Sequence, residues 1–262
     1  MTVLDMHCHL DLYPDREGVV ADARANGVEP LVATNRASEF RNVRQVLADD
    51  VTVGIGIHPE AAGSTYLSHE LRLFSALVDS TPLISEIGLD EKLANRPSQY
   101  FGDSPTMKAQ QDLFERILAH GLAGKVISVH SRGAERLVAD LLAQAGLTAV
   151  FHWFHGSLAD AEHVASLGNS FSVNAAMLHS DRREDLLTWI PDDLLLLETD
   201  GPFVAWADGI MTPSQLPSFL DAIARLRGTT SESLREVISA NSSRVIGTLN
   251  TPGTTTTREV QT

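Results

Sequence analysis

Apolar positions in this chain fall into two alternating kinds of segment. Short runs rich in Val, Ile and Leu occupy 3–8, 30–34, 51–57, 83–87, 126–129, 149–151, 170–173 and 194–198, and each reads as a strand. Between them, 17–26, 39–47, 67–79, 107–120, 132–144, 158–167 and 183–190 repeat apolar residues at the period of an amphipathic helix. Strands that alternate with helices pair in parallel. Eight such units close naturally into a single α/β domain, a (β/α)₈ TIM barrel. Two more helices are predicted over 213–227 and 231–246, the second opened by Ser231 with Glu232 and Glu236 in its early turns. From Asn250 the run Thr-Pro-Gly-Thr-Thr-Thr-Thr has no periodicity. The expectation is one barrel domain over 1–249 and a disordered tail over 250–262, with no internal repeat and no linker.

Composition supports this picture. A chain of 262 residues can bury a large core, and 43% apolar with 21% charged residues is the balance of a soluble globular protein. No apolar run approaches the roughly 18 residues of a membrane span. The first residues lack a basic start, an apolar stretch and a cleavage site, so the cytoplasm is the expected compartment. Cys8 is the single cysteine and cannot form an internal disulfide; it reads as a small buried strand residue facing away from His7 and His9. The formal net charge of −14 argues against coating duplex DNA through a broad basic face. Any phosphate would have to be received by bound cations.

The candidate chemistry lies where the strands run out. In Asp5-Met6-His7-Cys8-His9 the two-residue period of a strand puts His7 and His9 on one side. His58 follows the third strand, Glu86 ends the fourth, His130 the fifth and His152 the sixth, and Asp200 follows the eighth. Catalytic groups of a barrel come from the C-terminal ends of different strands, so the metal site is expected at that face. Carboxylate and imidazole without thiolate suit Mg²⁺, Mn²⁺ or Zn²⁺, and a Glu can bridge two ions where a neutral His cannot. Glu86 is the expected bridge. Apart from His58, these six ligands suggest a hydrolase using two divalent metal ions.

These residues resemble the TatD-type metal-dependent deoxyribonucleases of the amidohydrolase superfamily, over nearly the whole chain. The resemblance rests on Asp5 to His9, Gly56-Ile57-His58-Pro59, Glu86 to Asp90, Gln110 with Phe114, His130-Ser131-Arg132, His152, Glu198 to Phe203, and Asn241 with Arg244. It implies one metal held by His7, His9, Glu86 and Asp200 and the other by Glu86, His130 and His152, with Asp200 also accepting a proton from water. It further implies hydrolysis of DNA, single-stranded or at 3′ ends, one nucleotide at a time. Where the family typically shows His-Cys-Phe-Ser-Gly, this chain has His152-Trp153-Phe154-His155-Gly156, and residues 91–101 depart from the usual continuation and could reshape the rim. Residues 7–15 with Trp153 are similar to the TatD-like member of Qat, a bacterial anti-phage cassette, which implies cassette proteins as partners.

His58, Arg132 and His155 are the candidate substrate contacts, Arg as a phosphate fork and His as a switchable donor. Trp153 and Phe154 could stack a base, although burial under the loop is the plainer expectation for both. Glu198 reads as a supporting hydrogen-bond acceptor. His69, His120, His163 and His179 are assigned to surface or helix faces. Fold and ligands leave two other readings open: hydrolysis of another bond, as in a small-molecule amidohydrolase or an aminoacyl-tRNA deacylase, and a defence-complex subunit that needs partners for activity.

Overall fold

The computed structural model describes residues 2–47, 51–96, 104–179, 181–207 and 209–250. Eight parallel strands form the expected barrel: β1 Val3–Cys8, β2 Val28–Val32, β3 Thr52–Val53, β4 Leu83–Gly88, β5 Val126–His130, β6 Val150–His152, β7 Ser170–Val173 and β8 Leu195–Leu197. They pair in the order β3-β2-β1-β8-β7-β6-β5-β4. The third strand is much shorter than the predicted 51–57. Its backbone changes partner within two residues: Gly54 N–H donates to Val32 C=O at 2.7 Å, while Ile55 N–H donates to Leu83 C=O and Ile55 C=O accepts from Ser85 N–H, both at 3.1 Å. That exchange, with a parallel bridge between Ile55 and Ile84, nearly closes the barrel. Gly56 makes the closure possible, because a Cβ there would stand 1.5 Å from the Ser85 carbonyl oxygen.

The helices surround the strands: α1 Arg16–Ala25, α2 Ala37–Val46, α3 Leu67–Leu77, α4 Met107–Leu118, α5 Glu135–Gln144, α6 Leu158–Ser166, α7 Asp181–Trp189, α8 Leu216–Leu226 and α9 Ser231–Leu249. Each buries one stripe, as Leu113, Phe114 and Ile117 do on α4 and Phe219, Leu220 and Ile223 on α8. Their starts use side-chain oxygens to satisfy free backbone N–H groups: Asp15 for α1, Thr106 for α4 and a Ser157/Asp160 capping box for α6. The cap of α9 is Thr230, which accepts from Ser233 N–H; Ser231 is the first helical residue rather than the cap expected from sequence. Two strands were not anticipated, β9 Ala205–Trp206 and β10 Gly209–Ile210, which pair antiparallel. At two residues each, they are too short to show alternation.

The core has two parts. The larger cluster lies between strands and helices, and Cys8 is buried in it as expected. The smaller contains Leu4, Met6, Leu31, Leu83, Val126, Val150 and Leu196, with Val245, Ile246 and Leu249 of α9 packed against it. The final helix therefore seals the end of the barrel opposite the candidate site. Ser242 Oγ accepts from Leu4 N–H at 3.0 Å, and Asn241 Nδ2 donates to Leu195 C=O at 2.6 Å. Among the described residues no helix is long and apolar enough to cross a membrane. The expected disordered tail lies, from residue 251 onward, outside the described residues, as do residues 97–101 of the altered rim segment.

Candidate metal centre

Simple alternation is broken in both strands that carry the central ligand candidates. The β1/β2 register shifts between Asp5 and Cys8, and the β4/β5 register shifts between Ser85 and Ile87. A bulge inserts one residue and re-aims the side chains beyond it, which is how Leu4 and Met6 join the inner cluster while His7 and His9 still face the site. Glu86 sits at the second shift with φ +55°, and Trp153 and Asp200 also adopt positive φ, +39° and +47°. Three strained positions at one end of the barrel are held there by their surroundings. Asp5 supplies part of that hold: its carboxylate accepts from Thr199 N–H at 2.8 Å and Thr199 Oγ at 2.5 Å, tying the end of β1 to the end of β8.

Glu86 is the hub. Its Oε1 lies 2.7 Å from His7 Nε2, 3.3 Å from His152 Nε2 and 3.9 Å from His9 Nε2, and its Oε2 lies 3.6 Å from His58 Nε2. His9 Nε2 is 3.6 Å from Asp200 Oδ1. Potential donor atoms fall within 4.8 Å of one another in three sets: His7, Glu86 and His152; His7, His9 and Asp200; and His58, Glu86 and His130. The six residues expected as ligands are thus brought together. The sets differ from the expected division in two ways: His152 groups with His7, and His58, expected as a substrate contact, groups with Glu86 and His130.

The surrounding side chains fix the rings. His7 Nδ1 bonds Ser128 Oγ at 2.7 Å, which turns Nε2 to the cluster. Asp90 Oδ2 lies 2.9 Å from His130 Nε2, leaving Nδ1 toward His152 Nε2 at 3.2 Å. Gln110, on α4, in turn holds the Asp90 backbone through its Oε1 and Nε2, at 2.7 and 3.0 Å. Glu198 is the supporting acceptor expected: it receives Trp153 N–H and Asn174 Nδ2, both at 2.9 Å, and the Ser172 hydroxyl.

Burial lowers the basicity of His9 to about 3 and of His58 to about 4, and lowers His7 as well, with facing imidazoles adding to the effect. Burial also opposes ionisation of Glu86, but His152, His7 and His58 outweigh it and hold its carboxyl well below the usual range. His152 moves the other way, to about 9, because Glu86, Glu198 and Asp200 overcome its burial. Burial drives Asp200 up, reinforced by Glu198 and Glu86. The neutral imidazoles of His7, His9 and His58 beside the Glu86 carboxylate are what a divalent cation requires, and a cation bound there would displace the proton that the neighbouring carboxylates hold on His152. The fit is visible in a single atom too: His7 Nε2, which faces Glu86 Oε1, is buried without a well-aligned hydrogen bond among the described residues.

A cavity of about 490 Å³ opens over this cluster, lined by His9, His58, Glu86, His130, His152 and Asp200 together with Trp153 and Phe203. Arg132 and His155, the other expected substrate contacts, lie beside it with Ser131 around a smaller cavity of about 120 Å³. Phe154 is fully buried, but Trp153 is only half-buried and lines both cavities. His69 is exposed on α3, His120 packs on the Phe74 ring and His163 bonds Asp140 at 2.7 Å, all away from the cluster. The side chain of His179 lies outside the described residues. Sequence reading missed Asn35 and Arg36, which line the larger cavity just beyond β2. The strand-end rule that selected the histidines would have found them. It also passed over Asp90, whose role depends on a contact 40 residues away along the chain.

Comparison with known proteins agrees with the fold. The structure superposes on that of the TatD homologue YjjV from Escherichia coli with a TM-score of 0.77 at 24% identity, covering 93% of this chain and 97% of that one. In sequence the chain is 28% identical to the putative deoxyribonuclease tatdn3 of Danio rerio over 94% of this chain and 97% of the relative. It is 26% identical to YcfH of Escherichia coli K12, described as an uncharacterized metal-dependent hydrolase, over 94% of this chain and 96% of the relative. The sequence profile of the family described as TatD related DNase matches residues 4–247, which is nearly the whole of the barrel and its sealing helix, and this chain belongs to that family of metal-dependent hydrolases.

Proposed function

We propose that this enzyme hydrolyses phosphodiester bonds with two divalent cations and trims DNA from a 3′ end, one nucleotide at a time. The observation that carries the reading is the position of Glu86, whose Oε1 faces His7 and His152 while Oε2 faces His58. One carboxylate presenting its oxygens to separate donor groups is suited to sharing between ions. In this reading His7, His9 and Asp200 hold one cation with Glu86, and His130 and His152 hold the other; His58 stands within reach of the second. Mg²⁺, Mn²⁺ or Zn²⁺ bound there would neutralise phosphate charge and acidify water.

The chain's own groups do the remaining work. Asp90 orients His130, and Ser128 orients His7. Asp200, buried with Oδ1 3.6 Å from His9 Nε2, is placed to receive the proton of the attacking water. Exposed Leu12 and Phe203 at the cavity mouth offer apolar surface to a nucleoside. The likeness of residues 7–15 and Trp153 to the Qat member supports a role in anti-phage defence alongside cassette proteins, which phage plating of a Glu86→Ala strain tests.

The biochemical test is hydrolysis of a 5′-labelled single-stranded oligonucleotide with Mg²⁺, Mn²⁺ or chelator. We expect a metal-dependent ladder shortening from the 3′ end, lost in Glu86→Ala and Asp200→Ala. No cleavage with any metal, despite bound metal by elemental analysis, would reject the nuclease reading and turn attention to amide or aminoacyl ester substrates.

A further inference from the structure

The two cavities at the site differ in their charge. Among the described residues, the larger is lined by five carboxylates, those of Asp11, Glu39, Glu60, Glu86 and Asp200, and the one guanidinium on its wall, Arg36, is paired with Glu39 at 3.3 Å. An anion entering it must be met by bound cations. The smaller is lined by His130, Ser131, Arg132, His152, Trp153 and His155, with no carboxylate in that lining; Asp90, held by His130, and Glu91 lie behind it. Arg132 is exposed; its charge helps keep Asp90 ionised, but its guanidinium makes no hydrogen bond and no ion pair within 4.0 Å among the described residues, which leaves its donors to a ligand. Its fork of donors matches a phosphate in geometry as well as charge. Trp153 stands between the two spaces, with its backbone N–H anchored on Glu198 and its φ at +39°.

Size adds to the argument. A cavity of about 120 Å³ corresponds to roughly four waters of liquid at about 30 Å³ each, enough for a phosphate group and too little for a nucleoside. The small space shares His130 and His152 with the larger one, so an anion held there lies next to the reacting centre.

Resting on the nuclease reading above, we infer that the Arg132 compartment binds the phosphate neighbouring the scissile one, with Trp153 as the wall between the two. The enzyme then recognises a strand by two consecutive phosphates, one at the metal centre and one on Arg132. Substrates with a single phosphodiester lack the second anchor.

The test compares thymidine dinucleotide, with one phosphodiester, and trinucleotide, with two, alongside bis(p-nitrophenyl) phosphate as a minimal diester. Parent enzyme should show kcat/KM for the trinucleotide at least about tenfold above the dinucleotide, the size of one charge-assisted contact. Arg132→Gln should collapse that ratio toward one, mainly through KM, and Arg132→Lys should restore part of it. Equal rates on both nucleotides in the parent, or an undiminished ratio in Arg132→Gln, would overturn the inference. If bis(p-nitrophenyl) phosphate is cleaved and neither nucleotide is, the nuclease reading fails on its own. The compartment is then judged by calorimetric titration of inorganic phosphate into chelator-treated protein. Binding that Arg132→Gln abolishes supports the anion site, and no binding to the parent removes it.

Discussion

At the scale of single residues, the site is governed by groups that hold other groups. Asp90 lines neither of the two cavities at the site, yet it fixes which nitrogen of His130 faces the cluster. Asp90→Asn should lower metal affinity by about 10–100-fold with little change in melting temperature, read by calorimetric titration of Mn²⁺. An unchanged affinity would mean that His130 is oriented without it. His58 permits a test by pH. Burial, with the facing His130 ring, lowers it to about 4 against an unfolded value of about 6.5. The unfolded chain therefore takes up a proton at His58 before the folded chain does, so the stability it contributes is complete above pH 6.5 and is lost as pH falls toward 4. The metal-free parent should lose stability relative to His58→Gln across that window, and the His58 ring should stay neutral there by NMR. A ring titrating near its ordinary value would contradict the packing around it. The histidines themselves were legible from sequence because they end strands. Asp90 was not, since its role appears only when it meets His130, 40 residues away along the chain.

At the scale of elements, the alternating pattern predicted the barrel and placed every helix, but it missed where the ladder is irregular. The third strand was read over 51–57, and only Thr52–Val53 is regular strand, because Gly54 to Gly56 exchange partners from β2 to β4. Hydropathy cannot register a change of partner. The shifts at Met6–His7 and Ser85–Glu86 are likewise silent in the apolar pattern, though they aim the central ligands. The close approach at the seam makes a sharp prediction. Gly56→Ala forces backbone apart between β3 and β4, and should destabilise by about 1–3 kcal/mol in a thermal melt and reduce activity with it. Full stability in that variant would show that the seam can open without cost.

At the scale of the whole molecule, charge decides how substrate is reached. A net charge of −14 with a carboxylate-lined cavity repels a polyanion until cations are bound. Chelated protein should therefore bind an oligonucleotide only weakly by fluorescence anisotropy, through Arg132 alone, with binding strengthened at least about tenfold by Mn²⁺ when read on a non-hydrolysable phosphorothioate strand. Equally tight binding in chelator, kept in Arg132→Gln, would place the contact on another surface.

The helix that seals the barrel carries a consequence for synthesis in the cell. Leu4 is bonded to Ser242, 238 residues later, and the first strand sits between β2 and β8. A ribosome must release almost all of these residues before the two segments can meet, and contacts of such separation are slow to form. A chain that stops before residue 200 lacks Asp200, and one that stops before α9 lacks the Ser242 and Asn241 bonds that hold the starts of β1 and β8. The metal centre is thereby completed only after α9 has been made.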